Sequence, residues 1–136
     1  MQRLTEGARS WTPGEWRDLP AYLRGVDLFN RWYFWEAHEA WEGLWKAHAA
    51  SSDPARFIQG LIGASAALLK LHLGNGGSAR RLSQRVTARW SMCHSEIWMG
   101  IDVDGFRGDL ERYLAPVDEG IIPRLGLQTP RILLID

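Results

Sequence analysis

Cysteine is nearly absent. Cys93 is the single thiol, which excludes an internal disulfide and a cysteine-built zinc site. An excess of charge is lacking too, since sixteen Lys plus Arg balance sixteen Asp plus Glu. A neutral chain sets up no global field that gathers nucleic acid or an anionic membrane, so any anion site has to be local. No apolar run reaches the roughly twenty residues a membrane-spanning helix needs. The longest uncharged stretch, residues 57–69, stops at Lys70. Nothing at the start reads as a charged segment followed by an apolar leader, so the expected compartment is the cytoplasm, with no membrane partner. Proline is missing from residues 21–53 and again from 55–115, which leaves room for long helices. Between Asp27 and Phe57 there is no Val, Ile or Thr, while Ala, Leu, Glu and Trp abound, and that favours helix over strand.

What is present fits one all-α domain of 136 residues, a compact bundle of about five helices, with its core at about residues 20–115 and an irregular tail at 116–136. Six of the eight tryptophans lie in the first third of the chain, which loads that end of the core with large rings. Thr12-Pro13-Gly14-Glu15 has the form of a capping box, and the helices that follow are expected at about 20–30 and 31–48. Asp53 as cap and Pro54 in the first turn announce a helix at 53–73 closed by Gly74. Ser78 is read as the cap of a helix to about 94, and Asp102 or Asp104 opens a last one before Pro116. The tail either docks along the bundle or meets another subunit, which leaves a homo-oligomer open.

At about 100° per residue, Phe34, Ala37, Trp41, Leu44, Trp45 and His48 form one apolar stripe. The 53–73 helix is apolar almost all round, with Gln59, Lys70 and His72 as its polar groups beyond the first turn, so it belongs at the centre of the bundle.

The densest chemistry is on the 31–48 helix. His38 and Glu42 share a face, Glu39 is about 60° from Glu42, and Glu36 is one turn earlier. Imidazole and carboxylate so placed suit a divalent metal, zinc or manganese, with Glu39 as general base of a hydrolase-type enzyme and His72, His94 or Glu96 as third ligand. The competing reading needs no chemistry. Arg81, Arg85 and Arg89 recur every four residues and could face these carboxylates as an ion-pair network.

Other features are weaker. The turn Gly74-Asn75-Gly76-Gly77-Ser78 leads into a helix carrying Arg80 and Arg81, which could hold an anion, but it lacks the lysine and spacing of a phosphate-binding loop. Asp102-Val103-Asp104-Gly105 starts like a calcium loop with its glycine too early, and reads better as a helix cap. Cys93 and His94 are adjacent on a helix and so point apart.

Several motifs occur in a fixed order: Leu28-Phe29-Asn30-Arg31, then residues 36–45 from Glu36-Ala37-His38-Glu39 to Leu44-Trp45, then Phe57-Ile58-Gln59-Gly60, then Leu71-His72-Leu73-Gly74-Asn75. Together they resemble the family catalogued as domain of unknown function 309, over about residues 23–103. The resemblance implies a small helical bundle of bacterial and archaeal type and no established activity. It also implies a shared polar set, here Glu36, His38, Glu39, Glu42, Gln59 and His72, with Asn75 in the last motif. Trp32 stands where similar sequences tend to carry a turn glycine, which puts a sharp turn after Asn30 in question.

Three functions remain to be separated. The first is a helical binding or scaffold domain that takes a protein or small molecule on a Trp- and Arg-rich surface. The second is the metal-dependent enzyme centred on His38, Glu39 and Glu42. The third places an anion or nucleic acid on Arg80, Arg81, Arg85 and Arg89.

Overall fold

Helix ends fix where this chain turns. In the computed structural model, which describes residues 10–91 and 97–136, five helices follow one another: α1 (Pro20–Asn30), α2 (Phe34–Trp45), α3 (Asp53–His72), α4 (Gly76–Trp90) and α5 (Val103–Leu114). Turns of 3-10 helix at Pro13–Asp18 and Ala115–Glu119 flank them. The first of these is the capping-box segment, where Glu15 Oε1 accepts from the Thr12 N–H at 2.7 Å. The architecture is the expected all-α bundle, with one addition the composition does not announce. Strands β1 (Ile97–Trp98) and β2 (Ile101–Asp102) pair antiparallel through a two-residue turn at Met99-Gly100, where both residues have positive φ, a twist that suits a tight hairpin.

Two of the three side-chain caps differ from the expected ones by one to three positions, and that of α5 is one of the two expected. Ser52, rather than Asp53, caps α3 by accepting from the Ala55 N–H. Asn75, rather than Ser78, caps α4, and Ser78 supplies the N–H at 3.1 Å. Asp102 caps α5 by accepting from the Gly105 N–H at 3.0 Å, so the early glycine of the calcium-like string belongs to a first helical turn. Helix α2 is shorter than 31–48 at both ends. Residues 31–33 form a chain reversal, and at the other end Trp11 Nε1 donates to the Leu44 carbonyl at 3.0 Å, which satisfies one of the acceptors a terminating helix leaves open. The expected last turn of α4, residues 92–94, lies outside the described residues.

Three helix ends share one backbone device. After α1 the Tyr33 N–H reaches back to the Leu28 carbonyl and the Trp32 N–H to the Phe29 carbonyl. After α3 the Asn75 and Gly74 N–H groups do the same to Lys70 and Leu71, and after Ala115–Glu119 so do Ile121 and Gly120 to Pro116 and Val117. Each end is a Schellman motif, whose pivot residue takes the left-handed conformation. The pivots are Gly74 at φ +88°, Gly120 at φ +79° and Trp32 at φ +71°. The turn after Asn30 is therefore kept, with a tryptophan where glycine is the unstrained choice.

Helix α3 is central, as its near-uniform apolarity predicts: α2 packs on one side, α4 on another, and α1 packs on α2. Two of these pairings use the same construction. The Trp41 indole of α2 covers Gly25 of α1 and donates to the Tyr22 carbonyl at 3.1 Å. The Trp90 indole of α4 covers Gly60 of α3 and donates to the Phe57 carbonyl at 3.0 Å. In each case the ring lies over a missing side chain, and its N–H reaches the carbonyl three residues earlier. A buried indole thereby satisfies its one donor while packing both faces. Phe29, Phe106, Leu61 and Leu68 join these rings in one apolar cluster that runs from Trp11 to Ile132.

The tail docks along the bundle. The Asn30 side chain donates to the Ile132 carbonyl at 2.8 Å and accepts from the Ile132 N–H at 2.7 Å, so one amide reads both backbone groups of an extended residue. Ile132 is buried, and the Ile135 N–H bonds the Gly100 carbonyl at 2.7 Å. Among the described residues no helix is long and apolar enough to cross a membrane.

Candidate functional site

The polar residues singled out in the sequence do not gather at one point. His38 and Glu42 do meet, one turn apart on α2: His38 Nε2 stands 3.1 Å from Glu42 Oε2, and Lys46 Nζ lies 3.7 Å from the other oxygen. Trp35 meets the His38 ring edge-on at 5.1 Å between centroids. Glu39 and Glu36 point to solvent, and neither ion-pairs with a described residue. Two donors come together on this face, and Lys46 already engages one of them. Among the described residues no three His, Cys, Asp or Glu groups converge as a metal centre would require. Cys93, His94 and Glu96 lie outside the described residues.

His72 is elsewhere. It stacks on Phe34 at 6.4 Å with the rings 13° from parallel, and its Nε2 is 3.0 Å from the Tyr113 hydroxyl of α5. Tyr113 in turn donates to the Arg124 carbonyl at 3.1 Å, and Thr129 Oγ1 donates to Tyr113 at 3.2 Å. With the tyrosine proton spent on Arg124, His72 satisfies this network as an Nε2–H donor. Burial lowers the His72 pKa from its ordinary value and raises that of Tyr113, the latter opposed in part by the Thr129 hydrogen bond. This network ties the end of α3 and the face of α5 to the tail. Tyr113 and Thr129 carried no sequence signal and Asn30 only its place in the Leu28-Phe29-Asn30-Arg31 motif, because the segments they join are far apart in the chain.

Gln59 accepts from Arg89 across the α3–α4 interface, and Asn75 is a cap. Arg81 donates to Ser78 at 3.2 Å and Arg80 pairs with Asp118 at 3.4 Å. The ion-pair network between the α2 acids and the α4 arginines is not formed. Its physical reason is the layering: α3 lies between α2 and α4, and the two charged faces do not meet.

What α2 does display is an aromatic and acidic corner. Trp32, Tyr33 and Trp35 are 42%, 54% and 52% exposed, although large rings are ordinarily among the better buried side chains. Residues 27–46 hold Asp27, Glu36, Glu39 and Glu42 against Arg31 and Lys46, so the corner is net acidic. Residues 22–82 match the family model described as domain of unknown function 309 (DUF309). Over those residues the chain is similar to DUF309. The match takes in most of α1, all of α2 and α3 and the start of α4, and hence the corner. No curated protein matches the chain at significant similarity. That family is described as one of unknown function, so the similarity names no activity.

Proposed function

We propose that the chain is a helical binding module whose recognition surface is the corner at Trp32, Tyr33 and Trp35, and that its partner is a basic peptide segment. The observation that carries this reading is Trp32. A left-handed backbone costs a non-glycine residue on the order of 1 kcal/mol. The same motif is built with glycine at Gly74 and Gly120, and Trp32 leaves 42% of its surface in solvent. A strained, solvent-facing tryptophan beside a second exposed tryptophan and a tyrosine matches the residue types that anchor interfaces. Guanidinium and ammonium groups stack on such rings, and Glu36 and Glu39 supply carboxylates that no described residue pairs.

The reading is tested by titrating the protein with arginine-rich and lysine-rich peptides while following tryptophan indole N–H signals by NMR. Saturable shifts confined to Trp32 and Trp35, absent for an acidic peptide, support it. Equal response to both charge types removes it.

A further inference from the structure

We infer that the open groove between the start of α3 and the second half of α4 binds a small phosphate-bearing molecule. Arg56 enters the groove from α3, and Arg85 and Arg89 enter from α4, with Gln59 and Ser51 beside them; among the described residues no Asp or Glu lines it. None of the three arginines makes an ion pair with a described carboxylate, whereas Arg17, Arg31, Arg80, Arg107 and Arg112 all do. Three guanidiniums on one concave surface repel one another unless an anion sits among them.

The hydrogen-bonding inventory has the same sign. Arg56 Nε is buried and has no acceptor among the described residues, an arrangement that ordinarily destabilises unless a bound group supplies one. Gln59 spends its carbonyl oxygen on Arg89, so what it has left to offer is its amide N–H groups. Ser51 adds a hydroxyl. A lining rich in donors and poor in acceptors complements a doubly charged phosphoryl group, whose oxygens suit the planar fork of arginine.

Size and continuity choose between ligands. The groove is open to solvent and offers about 530 Å³ of accessible space, more than inorganic phosphate fills. A nucleic-acid backbone would need a basic track that runs on along the surface. Here the neighbouring Arg80 is taken up by Asp118 and Arg81 by Ser78, which ends the track within α4.

The test titrates the full chain with inorganic pyrophosphate at constant ionic strength, reading the melting temperature and the arginine Nε–H signals. A saturable rise in melting temperature that chloride does not give is expected, with Arg56, Arg85 and Arg89 signals moving together. Arg85→Gln and Arg56→Gln weaken pyrophosphate binding at least tenfold, and Arg56→Lys, which keeps the charge and loses the fork, does so partly. Without ligand, Arg85→Gln melts no lower than the parent, because it relieves repulsion and breaks no ion pair. The inference is overturned if pyrophosphate acts only through ionic strength or if Arg85→Gln responds like the parent. It is also overturned if a single-stranded RNA oligonucleotide binds where pyrophosphate does not, which would assign the groove to a polynucleotide.

Discussion

Trp32 holds at the end of α1 the backbone position that Gly74 holds at the end of α3. Both are pivots of a Schellman turn, at φ +71° and +88°. Trp32→Gly and Trp32→Ala both delete the indole, so their difference isolates the backbone. The glycine variant is expected to be the more stable of the two by about 1 kcal/mol, in urea unfolding, because alanine keeps the left-handed strain. Equal stabilities would mean that the turn relaxes out of that conformation.

The pairing of Trp41 with Gly25 gives a second prediction. A Cβ on Gly25 would stand 2.0 Å from the indole nitrogen, and one on Gly60 would stand equally close to that of Trp90. Neither ring has room to move inside the core, and moving it breaks its bond to Tyr22 or Phe57. Gly25→Ala and Gly60→Ala should each destabilise by about 3 kcal/mol or more, the upper range for overpacking. Gly14→Ala, with nothing within 4 Å, serves as the control and should stay within about 0.5 kcal/mol of the parent.

Asn30 supplies the third. Asn30→Ala removes both hydrogen bonds to Ile132, at about 1 kcal/mol each, and leaves two buried backbone groups without partners. The expected result is faster amide exchange at Ile132 and Ile135 and earlier proteolytic cleavage in residues 121–136, with the α-helical signal retained. Asn30→Asp should rescue little, because a carboxylate accepts from the Ile132 N–H but repels its carbonyl.

The fourth concerns acid. Burial holds the His72 pKa below its ordinary 6.5, so the unfolded chain binds this proton more readily than the folded one. Stability from this group is thus complete above about pH 7.5, falls as pH drops through 6.5, and is lost below the folded value. His72→Gln keeps a hydrogen bond to Tyr113 without titrating. Between pH 7.5 and 5.5 the parent should lose more unfolding free energy than His72→Gln, and identical slopes would place His72 in water.

The helices were legible because their signals are local: proline spacing, the apolar stripe Phe34-Ala37-Trp41-Leu44, and the uniform apolarity of α3. Caps were legible to within a few residues, since Ser52 and Asp53, or Asn75 and Ser78, compete on equal chemical terms. The site was less so. Periodicity puts His38 and Glu42 on one face, and they do meet, but it says nothing of which helix lies opposite. That is decided by α3 standing between α2 and α4, which parts Glu36, Glu39 and Glu42 from Arg81, Arg85 and Arg89. His72 was drawn to Tyr113 rather than to His38 by a contact spanning three separate segments. Arg56 gave no pattern of its own and gains meaning only beside Arg85 and Arg89.

The most direct test of the central claim compares Trp32→Gly with the parent on two axes at once, urea stability and binding of an arginine-rich peptide. A residue kept for recognition at the expense of its own backbone should give a variant that unfolds at no lower urea concentration than Trp32→Ala and binds the peptide at least tenfold more weakly than the parent. A variant that binds as well as the parent would contradict the account, whatever its stability.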